Sequence, residues 1–391
     1  MSLQHVAILE PSNGGLAVAR RLVRAGFRVS ALTPPGNAFI AASRGVEGHV
    51  LGPEGWGEAL RSLAAEGPLG ILAGADRACE YLAEHREELP GSALTFERPG
   101  GAHLPLMHKD TADAIARRAG VLVPWTAAIS GEDDLRAAAG DAPWPCVLKP
   151  VLSHEWRAIF GWERVLVVED LDDALRRAAP AFAAGLELVM SEYVPGGDDA
   201  VEEAIVVRAD DGSYPVRFGC RKLRQFPRGF GAASICVSHP IPETHALTKA
   251  LLDEAGFVGV VGVEVKRHAE TGRHYFIEAN VRLPTQFGLG DAAGADASRR
   301  LVATLAGERL GPPPQPRYGV KLVFPELEVK AAATVLRDAP RGKRAATVRD
   351  LLGSYRGTRE LGLLDPRDTG PLRVELRNAL RYRLSRRRSR A

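Results

Sequence analysis

The stretch Phe276-Ile277-Glu278-Ala279-Asn280-Val281-Arg282 carries the strongest structural signal in the chain, and Gly262-Val263-Glu264-Val265-Lys266 precedes it. Polar and apolar residues alternate in both stretches, which is typical of strands whose successive side chains point to opposite faces. A polar turn over 269–272 separates the stretches, so we expect a hairpin that brings polar side chains together on one face. These side chains are Glu264, Glu278, Asn280 and Arg282.

Two carboxylates and an amide oxygen form a set of hard oxygen ligands. Such a set suits Mg²⁺, whose remaining positions are filled by substrate phosphates and water. We therefore assign Glu264, Glu278 and Asn280 as candidate metal ligands. Arg282 would lie beside them and offer a planar fork to a phosphate or a carboxylate. The alternative is a polar surface on an edge hairpin, which the apolar residues between the polar ones make less favourable.

Candidate phosphate-binding cations lie upstream of this hairpin. Lys149 ends the apolar strand 146–148, which is a poor position for a charge without a partner. Triphosphate oxygens would pair with Lys149 and Lys109; alternatively both lysines reach solvent along their aliphatic chains. Lys222 and Arg224 belong to a cationic strand that runs into the glycine-rich loop 229–231. That segment either closes over phosphates or is a solvated run of charge.

The order of these residues resembles the ATP-grasp superfamily over about residues 5–310. The specific part is Glu-x-Asn-x-Arg at 278–282, with Glu264 on the adjoining strand. Within the superfamily the chain resembles the D-aspartate-ligase-like carboxylate–amine ligases. That narrower resemblance is carried by Gly74-Ala75-Asp76, Lys222-Leu223-Arg224-Gln225 and Glu264-Val265-Lys266-Arg267.

The resemblance implies an ATP site with one or two Mg²⁺ ions, or Mn²⁺ in their place. Lys109 and Lys149 would hold phosphates, residues 192–194 would meet the adenine, and Asp198 or Asp199 would meet the ribose. The implied ATP contacts are Lys109, Lys149, Glu192, Tyr193, Val194, Asp198 and Asp199, and the implied catalytic residues are Lys222, Arg224 and Arg282. Many members carry a glycine-rich lid after the second lysine, but Val151-Leu152-Ser153-His154-Glu155-Trp156 stands here. The loop 229–231 is an alternative cover for the phosphates.

The activity that the resemblance implies is an ATP-dependent ligase. It would convert a small-molecule or peptide-like carboxylate to an acyl-phosphate and join it to an amine, releasing ADP and phosphate. A nicotinamide-dependent oxidoreductase is the rival, but the first loop reads Pro11-Ser12-Asn13-Gly14-Gly15 rather than G-x-G-x-x-G. A catalytically inactive ATP-grasp binding module is a further alternative, against which the intact Glu-x-Asn-x-Arg motif argues.

We predict an α/β protein of three parts. Residues 5–32 read as strand, helix and strand, which favours a parallel sheet and a Rossmann-like pre-ATP-grasp domain over 1–105. The resemblance implies an ATP-grasp fold of two subdomains over 106–311, with the smaller lid subdomain at about 120–193. A proline run at 312–316 marks the start of a C-terminal region, 312–391, with a basic tail.

The composition bounds the class of protein. The chain has 391 residues, of which 45% are apolar and 25% charged, as expected for an ordinary globular protein. Its 4 cysteines form no C-x-x-C pair or zinc spacing, which favours the cytoplasm. No uncharged apolar run approaches the roughly 18 residues of a membrane span. The net charge of +3 gives no reason to expect nucleic-acid binding.

The charge is nevertheless concentrated at one end of the chain. No acid follows Glu375, and leucines recur every four residues from Leu372 to Leu384, which is a helical pattern. The arginines of this segment are Arg377, Arg381, Arg383, Arg386, Arg387, Arg388 and Arg390. The segment is either a basic helix that makes a weak contact with an anionic surface or a docked helix followed by a solvated tail.

Overall fold

The computed structural model describes residues 3–98, 100–150, 156, 159–161 and 163–388. The first sheet of the described chain is parallel and consists of β1 (His5–Leu9), β2 (Arg28–Thr33), β3 (Val46–Val50), β4 (Leu69–Ala73) and β5 (Ala93–Leu94). The strands lie in the order β3-β2-β1-β4-β5, and helices cover the sheet: α1 (Asn13–Arg24), α2 (Pro53–Ala64) and α3 (Asp76–Glu84). All residues of β1 are buried, as expected for a parallel strand covered on both faces. The strand–helix–strand start predicted from the sequence is confirmed.

Helix α1 begins at Asn13, inside the segment 11–15 that reads as the first loop. The glycines that read as a loop belong to its first turn. Gly14 lies so close to the segment after the Glu-x-Asn-x-Arg motif that a Cβ would stand 1.9 Å from the carbonyl oxygen of Pro284. Close approach of two backbones therefore explains this glycine, and it holds the start of α1 against the functional hairpin.

A second, four-stranded antiparallel sheet lies within the range of about 120–193 that is predicted to be the lid subdomain, and we call it the lid sheet. It consists, in the described residues, of β6 (Thr126–Ile129), β7 (Cys146–Pro150), β8 (Leu166–Val168) and β9 (Leu188–Glu192), in the order β6-β9-β7-β8. Helices α6 (Glu132–Ala138) and α7 (Leu171–Ala183) belong to it, while α4 (His103–Met107) and α5 (Lys109–Arg118) precede it. The side chain of Asp170 caps α7 by accepting a hydrogen bond from the backbone N–H of Asp173 at 2.8 Å.

The largest sheet has seven strands within the described chain: β10 (Val201–Arg208), β11 (Val216–Phe226), β12 (Ala232–Ser238), β13 (Gly259–Arg267), β14 (His274–Asn280), β15 (Lys321–Val323) and β16 (Thr358–Glu360). Their order is β14-β13-β10-β11-β12-β15-β16, and only the β15–β16 pair is parallel. The associated helices are α8 (Pro242–Ala255), α9 (Gly288–Ala292), α10 (Ala297–Leu305), α11 (Pro325–Asp338), α12 (Arg344–Ser354) and α13 (Gly370–Arg388). Two strands from the predicted C-terminal region thus extend this central sheet.

The lid sheet and the central sheet have separate apolar cores. Leu9 and Trp56 of the first sheet and its helices share one core with Val261 and Phe276 of the central sheet. The lid has a core of its own, which includes Leu148 and Met190. A cleft therefore separates the lid sheet from the central sheet. None of the helices in the described ranges is both long and apolar enough to cross a membrane.

Candidate active site

The β13–β14 hairpin carries the predicted metal ligands. Across the two strands Glu264 pairs with Glu278 and Gly262 pairs with Asn280, so the predicted hairpin is confirmed. The side-chain amide of Asn280 donates a hydrogen bond to Glu278 Oε1 at 3.1 Å. Burial raises the pKa of the Glu264 carboxyl. The hairpin therefore presents two carboxylates and an amide to one side of the central sheet.

Two cations stand beside these carboxylates. The Nζ atom of Lys222 lies 2.6 Å from Glu264 Oε2, and only 7% of the lysine side chain and 14% of the glutamate side chain are exposed. Although burial by itself lowers the pKa of Lys222, the Glu264 carboxylate raises it above its ordinary value. Arg282 donates from Nη2 to Asn280 Oδ1 at 2.9 Å and from Nε to Asp76 Oδ1 at 2.7 Å. Asp76 begins helix α3, so this ion pair joins the first domain to the site.

The cleft between the lid sheet and the central sheet contains a cavity of about 440 Å³. The structure brings most of the predicted site residues together around it. Those that line the cavity are Lys109, Lys149, Glu192, Tyr193, Val194, Lys222, Glu264, Glu278, Asn280 and Arg282. Residues that are separated by more than 170 positions in the sequence thus face one space. Their roles in binding and catalysis remain predictions.

One end of the cavity is aromatic. Strand β9 ends at Glu192, whose Oε2 accepts a hydrogen bond from the backbone N–H of Trp125 at 3.2 Å. The next residue, Tyr193, lies opposite Phe230, with ring centroids 6.3 Å apart. The Nζ atom of Lys266 lies 5.2 Å from the Tyr193 ring and 5.6 Å from the Phe230 ring. Flat apolar surfaces next to a cation suit a nucleobase that carries phosphates.

Lys149 and Lys109 form a cationic wall of the cavity. Lys149 lies on β7 of the lid, and Lys109 begins α5, where its Nζ donates to Asp113 Oδ1 at 2.6 Å and to the Ile277 carbonyl at 2.9 Å. Burial lowers the pKa of Lys149, and the charge of Lys109 lowers it further. A bound polyanion would oppose both effects, so this wall favours phosphate binding.

Three predicted site residues lie outside the cavity. Asp198, Asp199 and Arg224 line a neighbouring cavity of about 620 Å³ next to helix α11. Arg224 forms an ion pair with Glu328, and its Nη2 donates to Ser354 Oγ at 2.7 Å. The ribose contact of either aspartate and the catalytic role of Arg224 stay predictions.

Glu203 is buried and lines the cavity, although the sequence pattern did not indicate it as a site residue. It pairs with Glu264 across β10 and β13, and a Cβ on Gly262 would stand 2.3 Å from its Oε1. Burial and then the charge of Glu264 raise the pKa of Glu203 to about 8. Its sequence signal is weak, because Glu202 beside it is also buried and the strand offers no means to tell which of them faces the cavity.

The donor set fits a hard divalent cation that is partly coordinated by substrate. Glu264, Glu278 and Asn280 offer oxygen atoms from neighbouring positions of one hairpin. In the part of the chain that the structure describes, no group of three or more His, Cys, Asp or Glu side chains is arranged to hold a metal. A Mg²⁺ ion here would thus need the phosphates of a nucleotide to complete its shell. The predicted departure from a glycine-rich lid, at 151–155, lies outside the described residues.

Solved structures with a similar fold bind nucleotides. N5-carboxyaminoimidazole synthetase from Staphylococcus aureus, complexed with ADP, has a TM-score of 0.62 at 14% identity, covering 80% of each chain. The biotin carboxylase domain of the Hydrogenobacter thermophilus 2-oxoglutarate carboxylase, in complex with MgADP and bicarbonate, has a TM-score of 0.60 at 17% identity, covering 82% of this chain and 74% of that one.

An L-amino acid ligase from Bacillus licheniformis is also similar, with a TM-score of 0.55 and 16% identity over 78% of this chain and 75% of that one. No protein-family model matches the chain, and no curated protein matches it in sequence. The likeness therefore rests on structure. Together with a cleft between a lid sheet and a central sheet, it shows that the chain has the ATP-grasp fold.

Proposed function

We propose that the protein is an ATP-dependent ligase that joins a carboxylate to an amine. The observation that supports this most directly is the composition of the cleft. Lys149 comes from the lid sheet, while Lys222 and Arg282 come from the central sheet and the segment after it, and all three line the same cavity as Glu264 and Glu278. Cations around a divalent-metal donor set are what the transfer of a phosphoryl group requires, since negative charge builds up on the transferred group.

The proposed reaction has two steps. A substrate carboxylate oxygen attacks the γ-phosphorus of ATP, the bond to the β–γ bridging oxygen breaks, and ADP leaves. The amine nitrogen then attacks the acyl carbon, loses a proton, and displaces inorganic phosphate to form an amide bond. A carboxylate needs this activation because its oxygen is a poor leaving group, whereas phosphate is a good one.

The residues of the cleft would divide the work by position. Lys109 and Lys149 would hold phosphates of the nucleotide, and Tyr193 with Phe230 would enclose its base. Glu264, Glu278 and Asn280 would hold Mg²⁺, which supplies charge neutralisation on the phosphates when it is bound. Arg282 would orient the acyl-phosphate with its planar fork.

The position of the cleft favours this proposal over an oxidoreductase. The first loop, where a dinucleotide would lie on a Rossmann-like sheet, packs against Pro284 through Gly14. The cavity lies instead between the lid and the central sheet. The ligase activity named for the structurally similar L-amino acid ligase also agrees with this proposal.

The test is ADP release measured across pairs of carboxylic acids and amines, with mass spectrometry of the product. We expect one pair to give ADP, phosphate and an amide in equal amounts. Glu278→Gln should lose turnover at least 100-fold, while Glu270→Gln, in the exposed turn of the same hairpin, should keep it. Nucleotide binding without turnover for every pair would instead support an inactive binding module, and a Glu278→Gln variant of full activity would refute the metal assignment.

A further inference from the structure

Helix α13 is firmly attached to the first domain at its start. Asp368, two residues before the helix, forms a buried ion pair with Arg20, with Nε and Oδ2 2.8 Å apart. The same carboxylate accepts a hydrogen bond from Ser43 Oγ at 2.6 Å and from the backbone N–H of Arg44 at 2.9 Å. Gly370 fits so tightly that a Cβ there would stand 1.8 Å from the carbonyl oxygen of Ala42. The direction in which the helix leaves the body is therefore set by buried contacts.

Beyond this attachment the helix exposes leucines. The side chains of Leu376 and Leu380 are 56% and 59% exposed. Residues four apart share one face of a helix, so the two leucines form one apolar stripe. Arg373, Arg377 and Arg381 are exposed next to that stripe. No other segment of the described chain covers it.

The sequence continues the same pattern. Leu384 follows Leu380 at the same spacing, and arginine is the only charged residue type after Glu375. The last fifteen residues carry 7 of the positive charges, although the whole chain has a net charge of only +3. The rest of the protein is therefore net acidic. Positive charge is therefore concentrated in this helix, and an anionic partner would be attracted to it more strongly than to the rest of the chain taken together.

We propose that the exposed face of α13 docks on an anionic lipid surface. Arginines attract acidic headgroups, and leucines between them enter the boundary between headgroups and acyl chains. A nucleic acid would use the same cations, but its phosphate backbone offers nothing to a stripe of leucines. The pairing of exposed leucines with arginines therefore favours lipid. This inference does not depend on the proposed ligase activity.

The test is co-sedimentation of the full chain with vesicles of phosphatidylcholine that contain about one third phosphatidylglycerol, compared with pure phosphatidylcholine. We expect binding only to the anionic vesicles, and less of it at high salt. An arginine near the surface is worth roughly a fivefold change in affinity, so Arg377→Gln with Arg381→Gln should weaken binding about 25-fold. Leu376→Gln with Leu380→Gln should weaken it at least tenfold, which is about the effect of two partly inserted leucines.

Matched controls separate this surface from general stickiness. Val329→Gln removes an apolar side chain that is 72% exposed on α11. Arg341→Gln with Arg344→Gln removes two exposed cations outside α13. Both control variants should bind anionic vesicles as tightly as the wild type does. Equal binding to neutral vesicles, or no binding to anionic ones, would overturn the proposal. Tight binding of a duplex nucleic acid that the leucine variant retains and the arginine variant loses would show that the partner is a nucleic acid.

Discussion

Asp198→Asn tests how the aromatic end of the cleft is held in place. The Asp198 carboxylate accepts hydrogen bonds from the backbone N–H of Gln225 at 2.9 Å, from its side-chain amide at 3.1 Å and from the backbone N–H of Gly229 at 2.9 Å. Phe230 and Gly231 follow directly and line the cavity. The carboxylate thus fixes, from outside the cavity, the loop that faces Tyr193.

The structure sets the size of the expected effect. Asparagine keeps one acceptor oxygen, but its NH₂ group replaces Oδ2 and faces the N–H of Gln225, where two donors meet. The variant therefore loses one hydrogen bond to a charged group, worth about 1.5–3 kcal/mol. ADP binding must then restore the position of the loop, and this cost subtracts from the binding free energy. Since about 1.4 kcal/mol corresponds to a tenfold change in an equilibrium constant, we expect the Kd for ADP to rise roughly 10-fold, and by at most about 140-fold. Global stability should change less, because the loop lies outside the apolar cores.

The measurement is calorimetric titration of the wild type and the variant with ADP in the presence of Mg²⁺. Asp199→Asn is the matched control, since Asp199 is exposed and its carboxylate makes no hydrogen bond within the described residues. We expect its Kd to stay within about twofold of wild type. Undiminished ADP affinity in Asp198→Asn would refute the reasoning, and an equal loss in Asp199→Asn would point back to a direct ribose contact.

Further predictions concern the buried charges of the cleft. Gly262→Ala should lower the free energy of unfolding by about 1–3 kcal/mol, because the new Cβ would stand 2.3 Å from Glu203 Oε1 and 2.9 Å from Pro284 Cγ. Urea titration measures this change, and an unchanged midpoint would contradict the prediction. Lys222→Met should cost about 3–5 kcal/mol, because Glu264 loses its buried partner, and a loss below 1 kcal/mol would show that the pair is not needed. The pKa of Glu203 is about 8, above its ordinary value of 4.5, so the folded state binds the Glu203 proton more tightly than the unfolded state does. The contribution of protonated Glu203 to the free energy of unfolding is therefore lost as the pH rises from about 5 to 8. Glu203→Gln should remove this pH dependence, which is checked by measuring the free energy of unfolding of both proteins across the same pH range. An equal decline in the wild type and the variant would contradict the raised pKa of Glu203.

The hairpin is the part of the site that the sequence predicts best. Alternation alone indicates that Glu278 and Asn280 share a face, and the short polar turn indicates that Glu264 lies on the neighbouring strand. Lys149 is similarly predictable, because a charge at the end of a buried strand needs a partner. Local patterns suffice in these cases because strand periodicity and the need to pair buried charges act over a few residues.

The same periodicity fails on β11. Lys222 and Arg224 are two residues apart, so alternation predicts that both face the cavity. The pairing of β11 with β12 shifts register between Lys222 and Arg224 and again between Arg224 and Gln225. Such a bulge exchanges the two faces of a strand. Arg224 consequently meets Glu328, and Gln225 lines the cavity in its place.

By itself the sequence determined the extended hairpin, its polar face, the strand–helix–strand start and the basic helical pattern of its last residues, because each follows from periodicity or charge over short distances. Only the tertiary structure decided that Glu203 rather than Glu202 faces the cavity, and that Asp198 supports a loop from behind. Glu202 and Glu203 are adjacent and both buried. The difference between them depends on which side of β10 the cleft lies, and that is set by packing between segments far apart in the chain.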